Sequence, residues 1–198
     1  MIAAVSERLR FLQMFLSAPR TVGAIAPSSP TLAACVVREA GVANANAIVE
    51  LGGGTGSFTQ SIVREAAETA SILSIEVNPT FAEILAARFS RVHVVADSAE
   101  HLRDHMRDAG MTAADCVVSG LPWAIFNTDL QLRLITAIHN ALRNGGTFTT
   151  FAYLHASWLP AARQFRAHLE SHFDTVRVTH VVWRNVPPAF VYRCRRQD

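Results

Sequence analysis

From residue 47 onward the apolar positions alternate between two periods. Short runs rich in β-branched residues, at 47–52, 71–77, 91–96, 114–120 and 146–153, read as buried strands. Between or after them, apolar residues recur at spacings of three and four over 56–68, 78–89, 98–109, 127–143 and 157–172, which predicts helices. That alternation predicts an α/β fold with a doubly wound parallel sheet. Two further strands, 174–184 and 186–196, are separated by Asn185-Val186-Pro187-Pro188. So short a connection cannot hold a parallel crossover, and it predicts a terminal antiparallel hairpin. Ahead of this region Ile2, Val5, Leu9, Leu12 and Leu16 fall on one helical face, widened by Phe11, Met14 and Phe15, and Ala18-Pro19 ends the helix. Ser29-Pro30 reads as the N-cap and first turn of a second helix running to Ala40. The chain therefore divides into 1–40, an amphipathic helix and a cover helix, and 41–198, the α/β domain.

The first strand runs into Glu50-Leu51-Gly52-Gly53-Gly54-Thr55-Gly56 and then into a helix. Glycines let such a turn take positive φ and let a ligand approach without meeting a Cβ. Glu76, at the end of the second strand, is placed to take both hydroxyls of a ribose, so the pattern points to an adenosine compound. Counting from Gly52, the last glycine of a dinucleotide fingerprint would fall at Ser57, and counting from Gly54 at Thr59, which disfavours hydride transfer. No lysine follows the glycines, which removes the P-loop nucleotidases. By the open-sheet rule the ligand lies outside the C-terminal ends of the strands, beside the first. Asp97-Ser98-Ala99 ends the third strand there, and Asp97 is either an acceptor for the adenine amino group or a helix N-cap. Asn78, before Pro79, reads as a cap. Ser119-Gly120-Leu121-Pro122-Trp123 ends the fourth strand, where an acceptor substrate would meet the cofactor.

Composition narrows the classes. The 198 residues, half of them apolar, suit one α/β domain with a sizeable core. A formal charge of +2 is too slight to argue for nucleic acid. Arg184, Arg193, Arg195 and Arg196 crowd the C-terminal end, and Arg8, Arg10 and Arg20 the N-terminal segment. Cys35, Cys116 and Cys194 lack paired metal spacing, the eight histidines suggest no ligand set, and no metal is expected. No apolar run reaches the roughly twenty residues that span a bilayer. Glu7, Arg8 and Arg10 interrupt the stretch a secretory signal would need, so a cytoplasmic protein with reduced thiols is expected. The segment 2–16 is either a packing helix or one lying in a membrane interface, with Arg8, Arg10, Phe11 and Phe15 against an anionic surface.

The Glu-Leu-Gly-x-Gly-Thr-Gly turn resembles the first motif of class I methyltransferases, whose fold is a Rossmann-like, seven-stranded, mostly parallel sheet with a C-terminal antiparallel hairpin. Taken with Arg20 to Ser29, Glu76-Val77-Asn78-Pro79, Asp97-Ser98-Ala99, Ser119-Gly120-Leu121-Pro122 and Asn185 to Ala189, it is similar to the bacterial phospholipid N-methyltransferases over almost the whole chain. The resemblance implies S-adenosylmethionine as donor and methylation of phosphatidylethanolamine toward phosphatidylcholine by an enzyme peripheral on the inner face of the cell membrane. It implies a cofactor site at Glu50, Gly52, Gly53, Gly54, Thr55, Gly56, Glu76, Val77, Asp97, Ser98, Ala99, Ser119 and Gly120, with Leu121, Pro122, Trp123 and Tyr153 about the acceptor. Trp123 and Tyr153 are either cation-binding π faces or wall and core residues. Arg184 and Asn185 are either lipid-phosphate ligands or a solvated hairpin end. Gly53 departs from the family's usual proline, and Trp123 from a usual aliphatic residue. No general base is identified. The rival readings are an RNA adenine dimethylase, a small-molecule methyltransferase and a non-catalytic membrane-binding module. Gly120, where adenine and glutamine N-methyltransferases carry Asn or Asp, leans against planar nitrogens.

Overall fold

A computed structural model describes residues 28–197. The calls on Arg8, Arg10, Phe11 and Phe15, and on the segment 2–16 as a whole, lie outside the described residues. Helix α1 (Pro30–Ala40) opens the fold, with Ser29 Oγ accepting from Leu32 N–H as its cap. The chain then alternates through β1 (Ala47–Leu51), α2 (Ser57–Glu65), β2 (Ser71–Ile75), α3 (Pro79–Arg88), β3 (Val92–Val95), α4 (Leu102–Asp108), β4 (Ala114–Ser119), α5 (Thr128–Ala141) and β5 (Leu142–Tyr153). It closes with α6 (Pro160–His172), β6 (Thr175–Val178) and β7 (Ala189–Arg195).

These seven strands form one sheet in the order β3-β2-β1-β4-β5-β7-β6. The first five pair in parallel, and β7 runs antiparallel between β5 and β6. The expected seven-stranded sheet with its terminal hairpin is therefore present. Because the strand order reverses between β1 and β4, their C-terminal ends flank a natural crevice.

Each sheet face buries an apolar layer, the arrangement a doubly wound sheet requires. One layer holds Leu32, Val36 and Val37 of α1, Phe58 and Ile62 of α2, and Ile48, Cys116, Val118 and Val191 of the sheet. The other holds Val49, Leu73, Val117 and Phe148 under Leu102 and Met106 of α4, Leu134, Ile135 and Ile138 of α5, and Phe165 and Leu169 of α6. Cys35, Cys116 and Cys194 are free and buried.

Several boundaries differ from the sequence reading, and three of these shifts change the local structure. The helix expected over 98–109 begins as a 3-10 turn at Ala99–His101. Strand β5 begins at Leu142, because a bulge takes up the glycines: Ala114 pairs with Leu142 but Cys116 with Thr147. The hairpin strand expected over 174–184 stops at Val178, and beyond it only Val182 bridges to Ala189. The hairpin connection is accordingly longer than Asn185 to Pro188.

Candidate cofactor and acceptor site

The end of β1 turns sharply under its glycines. Gly52 and Gly54 take φ of +76° and +52°, and Gly52 N–H donates to the Ile75 carbonyl at 2.8 Å, which ties the turn to β2. Glu76 follows β2 directly, and its two oxygens accept from the backbone N–H groups of Gly54 and Asn78, each at 2.9 Å. Burial raises the Glu76 carboxyl, and the N–H groups of Asn78, Gly54 and Val77 pull it back. The carboxylate is thus fixed over the glycine turn, with further lone pairs for a diol.

A cavity of about 460 Å³ opens beside this pair, a size usual for small-molecule sites. Its floor is Gly52, Gly54, Ile75, Glu76 and Val77. Ala96, Asp97, Ser98, Ala99, Glu100 and His101, after β3, form one wall. Gly120, Leu121 and Pro122, after β4, form the other with Phe126, Leu130 and Leu134. The acids therefore gather on the β2 and β3 side, which favours a cation, while the β4 side is apolar. Gly120 lies so close to the glycine turn that a Cβ there would stand 2.7 Å from the Gly52 carbonyl oxygen. A side chain at position 120 would push the two walls apart.

The other expected residues divide by what they touch. Glu50 has no exposed surface and does not line the cavity; its carboxyl accepts from Thr59 Oγ1 and from Ser74 Oγ. Burial pushes it up to about 7 against the pull of those hydroxyls. Gly53 supports the turn from behind, since a Cβ would lie 2.8 Å from Ser74 Oγ and 2.7 Å from Leu85 Cδ1. Its lack of a side chain therefore lets Ser74 and Leu85 close against the turn. Gly56 packs against Phe89, and Thr55 is exposed with its carbonyl accepting from Arg88. Ser119 is fully buried, and its Oγ accepts from Leu121 N–H, so it shapes the β4 loop from within.

Asp97 lines the cavity without being the helix cap, a role taken by Ser98, whose Oγ accepts from Glu100 N–H. The Asp97 carboxylate accepts from Ser98 N–H on Oδ1 and from both His101 Nδ1 and His105 Nε2 on Oδ2, at 2.9 and 2.8 Å. Its partial burial acts to raise the carboxyl, but the His101, Ser98 and His105 hydrogen bonds outweigh this and hold it below the ordinary range. His101 is raised in turn, chiefly by that bond. The histidine reading is corrected here, because residues four apart in sequence do converge on one oxygen.

Three acceptor assignments are also corrected. Trp123 is 4% exposed, stacks on Phe165 at 4.7 Å and donates from Nε1 to Thr150 Oγ1, so it belongs to the core beneath α6 and α5. Tyr153 ends β5 among Phe151, His155 and the α1-side layer; it is half-buried, away from the cavity lining, and its Oη has no partner among the described residues. Asn185 is buried and spent: its Oδ1 accepts from Ser29 N–H at 2.9 Å and its Nδ2 donates to the Pro187 carbonyl at 2.7 Å. Arg184 is exposed and lines a separate groove with Arg38, Arg177 and Arg193. Sequence reasoning missed Ile75, Ala96, Glu100, His101, Phe126, Leu130 and Leu134. The spacing of four between Leu130 and Leu134, on the apolar stripe of α5, was the one local signal.

Residues 48–146 match the family described as Methyltransferase domain. The chain is 33% identical over 188 residues to the ornithine lipid N-methyltransferase of Singulisphaera acidiphila, covering 93% of this chain and 94% of that one. It is 31% identical over 151 residues to ribosomal RNA small subunit methyltransferase A of Bifidobacterium longum, covering 70% of this chain but only 43% of that one. Its fold matches the O-methyltransferase TomG of Streptomyces achromogenes, solved in complex with S-adenosylmethionine, with a TM-score of 0.66 at 18% identity over 84% of this chain and 79% of that one. The glycine turn, the Glu76 carboxylate held above it and the cation-favouring wall all fit that donor. The chain belongs to the class I S-adenosylmethionine-dependent methyltransferases.

Proposed function

We propose that this enzyme N-methylates the primary amine of a membrane lipid, with phosphatidylethanolamine, on the way to phosphatidylcholine, as the acceptor. The observation that carries the reading is the near full-length likeness to a lipid N-methyltransferase. S-adenosylmethionine supplies an electrophilic methyl group on a sulfonium. The residues of this chain bind, align and exclude water: Glu76 and the glycine turn fix the ribose end, and Gly120 to Pro122 with Phe126 give the acceptor a dry approach.

The outer surface supports a bilayer as the place of work. Trp158, Leu159, Trp183 and Val186 are among the large apolar side chains that stand exposed. Trp158 and Leu159 follow the C-terminal end of β5; Trp183 and Val186 precede Ala189, which pairs with Tyr153 at that same end. All four thus lie toward the C-terminal end of β5, the same end of the sheet as the cavity, with Arg184 next to Trp183 along the neighbouring groove, a composition suited to the headgroup layer. No helix among the described residues is long and apolar enough to cross a membrane.

The relative's own substrate favours a second reading, in which the acceptor is the amine of an ornithine lipid. Incubation with labelled S-adenosylmethionine, vesicles of either lipid and ribosomal RNA, followed by separation of the lipids and the RNA, tests both. Label in phosphatidylethanolamine is expected; label only in the ornithine lipid would favour the second reading, and label in ribosomal RNA instead of either would sink both. Deleting residues 1–18, or replacing Trp158 and Trp183 with Ala, should lower co-sedimentation with anionic vesicles while leaving cofactor affinity in place. Undiminished pelleting by these folded variants would remove the docking surface from the reading.

A further inference from the structure

The end of the sheet after β3 brings three metal-ligating side chains together beside the cofactor cavity. Asp97, His101 and His105 each present one ligand atom, and the three atoms lie within 4.8 Å of one another. Asp97 Oδ1 is held by Ser98 N–H, which aims Oδ2 at the two rings. The His105 side chain is only 17% exposed and the His101 side chain 58%, so the cluster is seated at its inner end and open to solvent at its outer one. The ring centroids are 6.3 Å apart.

We propose that Asp97, His101 and His105 form a binding site for a first-row transition-metal dication of the Zn²⁺ kind, and that metal and cofactor compete for the Asp97 carboxylate. Two imidazole nitrogens and one carboxylate oxygen are a ligand set that Zn²⁺ takes, leaving the fourth position to water. In a tetrahedral site with bonds of 2.0–2.1 Å the ligand atoms stand about 3.3 Å apart. The present separations from Oδ2 are 2.9 and 2.8 Å and the two ring nitrogens lie within 4.8 Å of each other, so side-chain motion that lengthens the Oδ2 contacts by about half an ångström and sets the nitrogens at a matching distance makes room for the ion. The ring protons now facing Oδ2 move to the opposite ring nitrogens or to solvent as the metal takes their place. Competition follows from the position of Asp97: the carboxylate that would ligate the ion also lines the cofactor cavity, as does His101. A ligated Asp97 has less negative charge to offer an adenine amino group, and the ion adds positive charge to a wall that otherwise favours a sulfonium.

The test uses the full chain without an affinity tag, with thiols kept reduced. The three cysteines are buried and stand apart from this cluster. Zinc chloride is titrated by calorimetry and by competition with a chromogenic chelator. A single equivalent is expected in the wild type, with affinity at least about 10-fold weaker in His101→Ala and in His105→Ala. Saturating Zn²⁺ should weaken S-adenosylmethionine binding about 5-fold or more in the wild type, and by much less in either variant. Because His101 is exposed, its variant remains informative if loss of the more buried His105 harms folding, which circular dichroism reports. Equal zinc binding by the wild type and a folded His101→Ala protein would overturn the site. Histidine-dependent binding that left cofactor affinity unmoved would overturn the competition.

Discussion

Glu50 lies wholly buried under the glycine turn, where burial lifts its carboxyl from 4.5 to about 7. A folded pKa above the unfolded one means the folded protein holds this proton more tightly. Its contribution to stability is therefore full below about pH 4.5 and is lost as pH rises through about 7. Relative to Glu50→Gln, which cannot ionise, the wild type should lose about 3 kcal/mol of unfolding free energy across that window. Urea titrations at both ends of it check this, and a pH-independent difference between the two proteins would mean that Glu50 titrates normally. Glu76 stands on the cavity side of the same turn, where it is proposed to take the ribose hydroxyls. Glu76→Ala should weaken S-adenosylmethionine binding by roughly 1.5–3 kcal/mol in calorimetry, the scale of hydrogen bonds to a charged group. Both acids were legible because Glu50 sits near the end of an apolar strand and Glu76 directly after one. Their different environments were not, since Thr59 and Ser74, which seat Glu50, are set by how α2 and β2 pack.

At the scale of elements, Trp123 shows why a loop position misleads. The 3-10 turn Trp123–Ile125 points its first side chain inward, onto Phe165 of α6 and Thr150 of β5, and Gln131 of α5 donates to the Trp123 carbonyl. Those partners come from three later elements, and no local spacing announces them. Trp123→Ala should consequently cost about 3–5 kcal/mol of stability by opening a void between α6 and the sheet. Thermal melts would show the loss, and a variant that melted like the wild type but failed only in lipid turnover would return Trp123 to the acceptor. The strands and most helices were legible from periodicity alone, whereas the early start of β5 was not. It depends on Gly145 and Gly146 forming a bulge within a paired strand, and in sequence such a pair reads equally well as a loop.

Across the whole molecule, the cavity lies at the C-terminal ends of the parallel strands, and Trp183 lines the groove with Arg38, Arg177, Arg184 and Arg193 along the α1 side. The topology could be read from sequence because the βα alternation leaves few ways to wind a sheet. The fastening of its two ends could not. Asn185 reaches across 156 residues to take the Ser29 N–H, at the foot of α1. That amide proton is consequently a gauge of whether the C-terminal loop is docked. In hydrogen-exchange measurements Ser29 should be protected in the wild type and should exchange at least about tenfold faster in Asn185→Ala, the expected scale for losing about 1.4 kcal/mol of local closure. Equal exchange would place the fastening elsewhere. The pairing also joins segments from opposite ends of the chain, so by loop-closure entropy it belongs among the last contacts made in folding. During synthesis Ser29 emerges long before its acceptor exists, and α1 gains its clamp only once the loop before β7 has arrived.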